Sequence, residues 1–423
     1  MKYKNEYLSI LKEELKKAMG CTEPISLAYL SACLRDLLND IPDRINIYVS
    51  GNILKNVKSV VVPNTNGLRG IKAACLIGVV AGKKDLKLEC ISKVTEDEIN
   101  KCKELMNEIE VNILTSDEFI FDIHIFMYKN NDVVEGRIID NHTNIVYLRK
   151  NKDVIINRKI KNVTKVNDLT DHNILNVKDI FEFANNIELC EVQELIEEQI
   201  KCNMEIAEAG LKSNYGANIG KTLLSCYPSD VTIRAKAYAS AASDARMNGC
   251  EKPVVINSGS GNQGITCSVP VIIYAEHLKV SHDLLIRSLV LSNLLTTHIK
   301  KGIGRLSAFC GVVAAGCAAG GAIAYLHKQD EEMVSHTIVN SLAIVSGIIC
   351  DGAKASCAGK IASAVDAGIL GFKLYQNGNE FYSGDGIVTK GVDNTINNVG
   401  LIARLGMVET DKEIIHLMLD EDK

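Results

Sequence analysis

The chain has 423 residues, with 47 Lys and Arg against 52 Asp and Glu (net charge −5), 14 Cys, 6 Pro and no Trp. Its length and 47% hydrophobic content supply ample core for two or three domains and exclude disordered, collagenous and coiled-coil classes. The slight acidic excess argues against nucleic acid or an anionic membrane as partner, since either demands a clustered basic surface.

In chain order, Leu8, Leu11, Leu15 and Met19 share one face of an amphipathic N-terminal helix. Lys12, Glu13, Glu14, Lys16 and Lys17 interrupt any apolar run of secretory length. Fourteen cysteines without such a leader, and with no C-x-x-C pair, point to a reducing, cytoplasmic setting without disulfides. After a second helix, INIYVS (45–50), VKSVVVP (57–63), LKLECI (86–91), FIFDIHIFMY (119–128) and NIVYLRK (144–150) read as strands, with helices over 70–81 and 95–108. The Lys/Asn/Asp-rich stretch 149–173 is the expected seam.

From 177 onward, helical patterns cover 187–210, 230–248, 263–277, 280–300, 305–327, 332–349 and 353–370. A hairpin over 373–384 is expected to turn on Asn377-Gly378, and two short helices follow. The sequence thus predicts an α+β lobe over 1–175 and an all-helical lobe over 176–423. Residues 306–326 carry no charge, and that run is long enough to span a bilayer. Its Ala/Gly content and lack of an aromatic belt favour a central helix buried on all sides.

Cysteine is among the most buried residue types, so a single one reads first as core. Two C-x6-C pairs stand out, Cys310/Cys317 and Cys350/Cys357. Residues seven apart in a continuous helix lie about 10.5 Å apart along the axis, too far for both thiolates to grip one compact cluster. Nothing between Cys310 and Cys317 must break a helix, so Cys317 reads as packing. Asp351-Gly352 can end one helix and cap the next, folding Cys350 and Cys357 together. With Cys310 they make a three-thiolate site suited to a [4Fe–4S] cluster with one iron left open, or to zinc.

Three polar loops are candidates for ligand binding. PVVINSGSGNQG (253–264) has the G-x-G-x-x-G spacing of a dinucleotide site, but helices follow it and no acidic strand end appears. It also looks like the Ser-Gly-Asn loop of pyridoxal-phosphate lyases, with Lys236 as the lysine to imagine in that reading. A third reading is an amide nest for a substrate carboxylate, supplemented by Ser258, Ser260, Asn262 and Gln263; a plain turn is the alternative. PNTNGLRG (63–70) offers Asn64, Thr65 and Asn66 to a small polar ligand and Arg69 to a carboxylate. SNYGANIGK (213–221) is less distinctive.

Gly20-Cys21-Thr22-Glu23-Pro24 joins two helices, with Thr22 or Glu23 as N-cap and Pro24 in the first turn. The helix dipole favours a Cys21 thiolate and Glu23 opposes it; a small residue filling a tight turn is the other reading.

GCTEP (20–24), PNTNG (63–67), NSGSGNQG (257–264) and Cys310 with Cys350-x6-Cys357 together resemble the L-cysteine desulfidase family, which is related to the iron–sulfur L-serine dehydratases. The resemblance runs over nearly the whole chain. It implies an oxygen-sensitive [4Fe–4S] enzyme that converts L-cysteine to pyruvate, ammonia and hydrogen sulfide without pyridoxal phosphate. It implies Cys310, Cys350 and Cys357 as cluster ligands and Cys21 as proton acceptor. Asn64, Thr65, Asn66, Ser260, Asn262 and Gln263 are then expected to hold the amino acid. The cleft between the lobes is the expected active site, within one chain or completed by a second copy in a homo-oligomer. Rival readings are a serine or other β-hydroxy amino acid dehydratase on the same cluster, a pyridoxal-phosphate lyase, and a non-catalytic iron–sulfur or sulfur-carrier protein.

Overall fold

The computed structural model describes residues 2–116, 118–158, 170–304 and 307–420. The expected seam therefore falls partly outside the described residues, at 159–169, as does the start of the helix expected from 305. The order is an N-terminal α/β region followed by a mostly helical region.

The first region is built on a six-stranded mixed sheet. Arg44–Ser50 runs parallel to Glu110–Ser116 on one side and antiparallel to Asp122–Lys129 on the other. Asp132–Ile139, Ile145–Lys150 and Asp153–Asn157 continue it antiparallel. Alternation sets which face is buried. Ile45, Ile47 and Val49 pair with Met127, Ile125 and Ile123 in register, and all six side chains are fully buried. Each such side chain contributes about 1.5–3 kcal/mol when removed from water. The helix Thr22–Leu38 covers this face, and Leu30 and Leu34 lie over Gly136.

Several expected strands differ. Residues 57–63 make a single bridge, Val61 with Arg69, because the chain closes on itself from Val60 to Gly70 through Val62 N–H to Leu68 and Gly70 N–H to Val60. LKLECI forms a short 3₁₀ segment, Lys84–Glu89, broken at Lys87 with φ +49. Glu110–Ser116 and Asp132–Ile139 are strands that the pattern did not announce. The first is an exposed edge with no apolar alternation, and the second contains Gly136 and charged residues.

In the helical region the central helix Val312–His327 buries every residue from Val312 to Leu326, as its lack of charge required. No helix among the described residues is long and apolar enough to cross a membrane. The Asn377-Gly378 pair does not turn a hairpin. The helix Cys357–Gln376 runs up to it, and Gly378 at φ +74 ends the helix. The region is not wholly helical either, since Lys17–Met19 pairs with Pro253–Val255. Tyr7, Ile10, Leu11, Leu15 and Ala18 pack into the core of this second region, not that of the sheet. The helix Val408–Asp420 crosses back to the first region, with Ile415 over Gly51 and Lys55 bound to Asp411 at 2.5 Å.

Candidate active site

Two departures from the helical pattern bring Cys310 and Cys350 side by side. The helix His282–Ile303 ends at Gly304 (φ +88), and Glu331–Val345 is followed by Gly347 (φ +110). The freed segments pair through a Phe309–Ile349 bridge, with Cys310 N–H to Ile348 at 2.9 Å and Cys350 N–H to Ala308 at 2.6 Å. Cys310 therefore precedes its helix, whereas Cys317 lies inside it, fully buried. Cys357 opens the helix Cys357–Gln376 and is buried.

The three thiols sense one another. The Cys310 thiol, donating to Cys350, lowers Cys350 to about 6, aided by Lys55 and Lys360. The same bond, then burial, pushes Cys310 well up, and burial raises Cys357. Lys360, in the first turn of the helix Cys357–Gln376, is ion-paired with Asp351 of this loop. Among the described residues, no three His, Cys, Asp or Glu side chains gather closely enough to hold a single metal ion. A four-iron cluster takes its thiolates at separate corners, so three neighbouring thiols on a short loop and a bridged segment suit it.

Cys21 is the N-cap of Thr22–Leu38, one residue earlier than the sequence suggested, and its side chain makes no capping bond. Its S–H donates to Glu23 Oε2 at 3.0 Å, and Asn56 Nδ2 donates to Glu23 Oε1 at 3.0 Å. Burial, then the Glu23 carboxylate, pushes the Cys21 thiol well above its ordinary value against the pull of Arg246. Burial pushes Glu23 up as well, but His142, the Cys21 S–H and Arg246 outweigh it and hold the carboxyl below its ordinary value. The resting pair is a thiol donating to a carboxylate.

The strand pairing of Lys17–Met19 with Pro253–Val255 sets this turn beside the 257–264 loop. Arg246 joins the two, donating to the Gly20 carbonyl at 2.7 Å and to Asn262 Oδ1 at 3.2 Å. Asn257 anchors the loop by donating to Asn293 Oδ1 at 3.0 Å, and Asn203 donates to the Gly264 carbonyl at 3.1 Å. Ser260 caps the helix Gly261–Leu278 without spending its hydroxyl. Asn262 and Gln263 are buried, and Gln263 lies against Gly311, next to Cys310.

The 63–67 loop is placed less uniformly. Pro63 packs on Gly20, so the loop starts beside Cys21. Asn64 donates to the Ile91 carbonyl and Thr65 to the Val62 carbonyl, both buried. Asn66 is exposed and bound to Glu96, and Arg69 is exposed and bound to the Ser59 carbonyl. The helix Gly51–Val57 links the halves, because Asn56 holds Glu23 while Gly352 of the cysteine loop rests on the Lys55 carbonyl. Cys21, Glu23, Arg246, Asn262, Gln263 and the three cysteines thus surround one junction between the regions. Lys236 is about 15 Å along its helix from Arg246 and paired with Asp366, far from a cofactor lysine's place.

Sequence reasoning passed over Arg246, Asn56 and Lys55. Arg246 left a signal, since Ala239, Ala242 and Arg246 share one helix face and the alanines are buried. A basic residue on an apolar stripe calls for a buried task.

Residues 85–416 match the serine dehydratase alpha chain family. A UPF0597 protein of Desulfitobacterium hafniense (strain Y51) is 53% identical over 421 residues, covering 99% of this chain and 98% of that protein. A UPF0597 protein of Finegoldia magna is 46% identical over 98% of this chain and 99% of its own length. One of Lachnoclostridium phytofermentans is 45% identical with the same coverage. The chain belongs to the serine dehydratase alpha-chain family of iron–sulfur lyases.

Proposed function

We propose that the chain is a [4Fe–4S]-dependent lyase that β-eliminates L-cysteine to hydrogen sulfide, ammonia and pyruvate. The observation that carries this reading is the meeting of Cys310, Cys350 and Cys357 with the Cys21–Glu23 pair at one junction. Cys310, Cys350 and Cys357 would hold the cluster, which when bound supplies a Lewis-acidic iron able to stabilise a departing sulfur. Cys21 acts as a thiolate, so its proton must first leave through the Glu23 hydrogen bond, a transfer that burial and the Glu23 charge oppose and Arg246 favours. That thiolate removes the substrate's Cα proton. The Cα–H pair becomes the Cα=Cβ bond, the Cβ–S bond breaks, and sulfur leaves as hydrosulfide. The aminoacrylate product tautomerises and hydrolyses to pyruvate and ammonia without further help from the chain. Burial of Cys21 keeps water from competing for the proton.

A β-hydroxy substrate, L-serine, is the second reading, because membership of the serine dehydratase family favours it as directly. Anaerobically reconstituted protein, assayed for iron and acid-labile sulfide and then for pyruvate from each amino acid, separates the two. Hydrogen sulfide and pyruvate in equal amounts from L-cysteine, with little pyruvate from L-serine, support the first. Turnover of L-serine alone replaces it with the second. A loaded cluster with no turnover of either overturns both.

A further inference from the structure

Arg246 is 6% exposed at the end of the helix Val231–Met247. Its hydrogen bonds go to neutral acceptors alone: the Gly20 carbonyl, the Asn262 carboxamide and, weakly, the Met247 sulfur. Its Nε–H is buried with no acceptor. A guanidinium withdrawn from water is disfavoured unless a negative charge compensates it. Glu23 is the carboxylate whose charge it feels, but that carboxylate spends its oxygens on Cys21, Thr22 and Asn56 and bonds none of the guanidinium N–H groups. The loop is shaped around this cation, since a Cβ at Gly261 would lie 2.2 Å from Nε. The middle glycine of the G-x-G-x-x-G run therefore admits an arginine, not a pyrophosphate. Next to it, Gln263 Oε1 is buried with no donor, over Gly311 and beside Cys310.

We propose that Arg246 is the carboxylate receptor of the site and that Gln263 accepts from the ammonium group of the same α-amino acid. The proposal rests on the reading of the site as an amino-acid lyase. Two unsatisfied groups of opposite demand, the guanidinium N–H of Arg246 against Gly261 and the side-chain carbonyl of Gln263 two residues further along that helix, match a zwitterion. Because Arg246 also holds the carbonyl of Gly20, one guanidinium sets both the substrate backbone and the peptide that carries Cys21. The Cα–H is thereby held towards the sulfur of Cys21.

The test uses anaerobic holoenzyme with Arg246→Gln and Arg246→Lys. Three quantities are read: KM and kcat for sulfide release from L-cysteine, iron content, and calorimetric binding of L-alanine, which has the zwitterion but no leaving group. Arg246→Gln should raise KM about 10- to 100-fold, abolish L-alanine binding and leave the iron content unchanged, with Arg246→Lys intermediate. Unchanged L-alanine binding in Arg246→Gln, or a fall in kcat at constant KM, overturns the proposal. Should the variants not fold, wild-type protein decides, because equal binding of L-alanine and L-alaninamide refutes a carboxylate receptor. Wild-type protein that releases no sulfide but binds L-alanine through Arg246 sinks the desulfidase reading and upholds the receptor.

Discussion

Gly352, between Cys350 and Cys357, has φ +93, and a Cβ there would lie 2.3 Å from the Lys55 carbonyl oxygen and 3.1 Å from Asn56 Oδ1. Gly347, five residues earlier, has φ +110 and nothing within 4 Å of the same position. Alanine at either site incurs left-handed strain of about 1–2 kcal/mol. Only at position 352 does the methyl group also meet a backbone atom of the facing helix Gly51–Val57. Relief requires that helix or the cysteine loop to move, and overpacking of this kind costs about 1–3 kcal/mol more. Gly352→Ala should therefore lose about 2–5 kcal/mol against 1–2 kcal/mol for Gly347→Ala, by the same two costs. The moving parts carry Asn56, Cys350 and Cys357, so the iron content of Gly352→Ala should fall too. Denaturant midpoints, with iron and acid-labile sulfide after anaerobic reconstitution, measure both effects. If the two variants match in midpoint and iron content, the contact between the regions does not hold the cysteine loop.

Cys21→Ser should keep its iron and sulfide content and lose about 10²-fold or more of sulfide release, the worth of a positioned base; unimpaired turnover removes Cys21 from the mechanism. Alanine at Cys310, Cys350 or Cys357 should lower cluster loading. Cys317→Ala, inside the helix Val312–His327, should leave loading intact at a stability cost of about 1 kcal/mol. A full cluster in Cys350→Ala contradicts the ligand set. Burial raises Asp244 from 3.8 to about 6, against the backbone N–H groups of Gly220 and Ile219. The native state then binds the extra proton between those values, so its stability falls as pH rises from about 4 to about 6. Urea midpoints of Asp244→Asn across that range should lack this component; an unchanged difference from wild type at both ends refutes it.

Much of the fold was legible because burial was periodic. The strand at 45–50, the helices over 70–81 and 95–108, and most helices of the second region follow from alternation or a 3.6-residue stripe. Glu110–Ser116 was illegible for the opposite reason, being an exposed edge whose register comes from its partner. The helices do break between Cys350 and Cys357, but Asp351-Gly352 neither ends the first helix, which stops at Val345, nor caps the second, whose N-cap is Ser356. The pairing of Phe309 with Ile349 depends on Gly304 and Gly347, and no local pattern ties those positions together. Asn377-Gly378 shows the same ambiguity: a positive-φ glycine ends a helix as readily as it turns a hairpin, and only the preceding helix decides. Arg246 lay in a helix read as ordinary, and its task appears only when Gly20 and Asn262 meet it from distant parts of the chain.

Lys55 shows why the junction needs both regions at once. Its side chain is 1% exposed, its ammonium group bonds Asp411 of the helix Val408–Asp420, and its charge helps lower Cys350. An ammonium this deeply buried persists only if paired, so Lys55 can sit beside the thiols only with the Val408–Asp420 helix docked. Docking also seats Ile415 on Gly51, which fixes the helix whose Asn56 holds Glu23 and whose Lys55 carbonyl supports Gly352. The Cys21–Glu23 pair and the cysteine loop are thus braced by two adjacent residues, Asn56 and Lys55, of one seven-residue helix. A shift of that helix disturbs the base and the three thiols together, whereas either could be lost alone if each region carried its own half of the site.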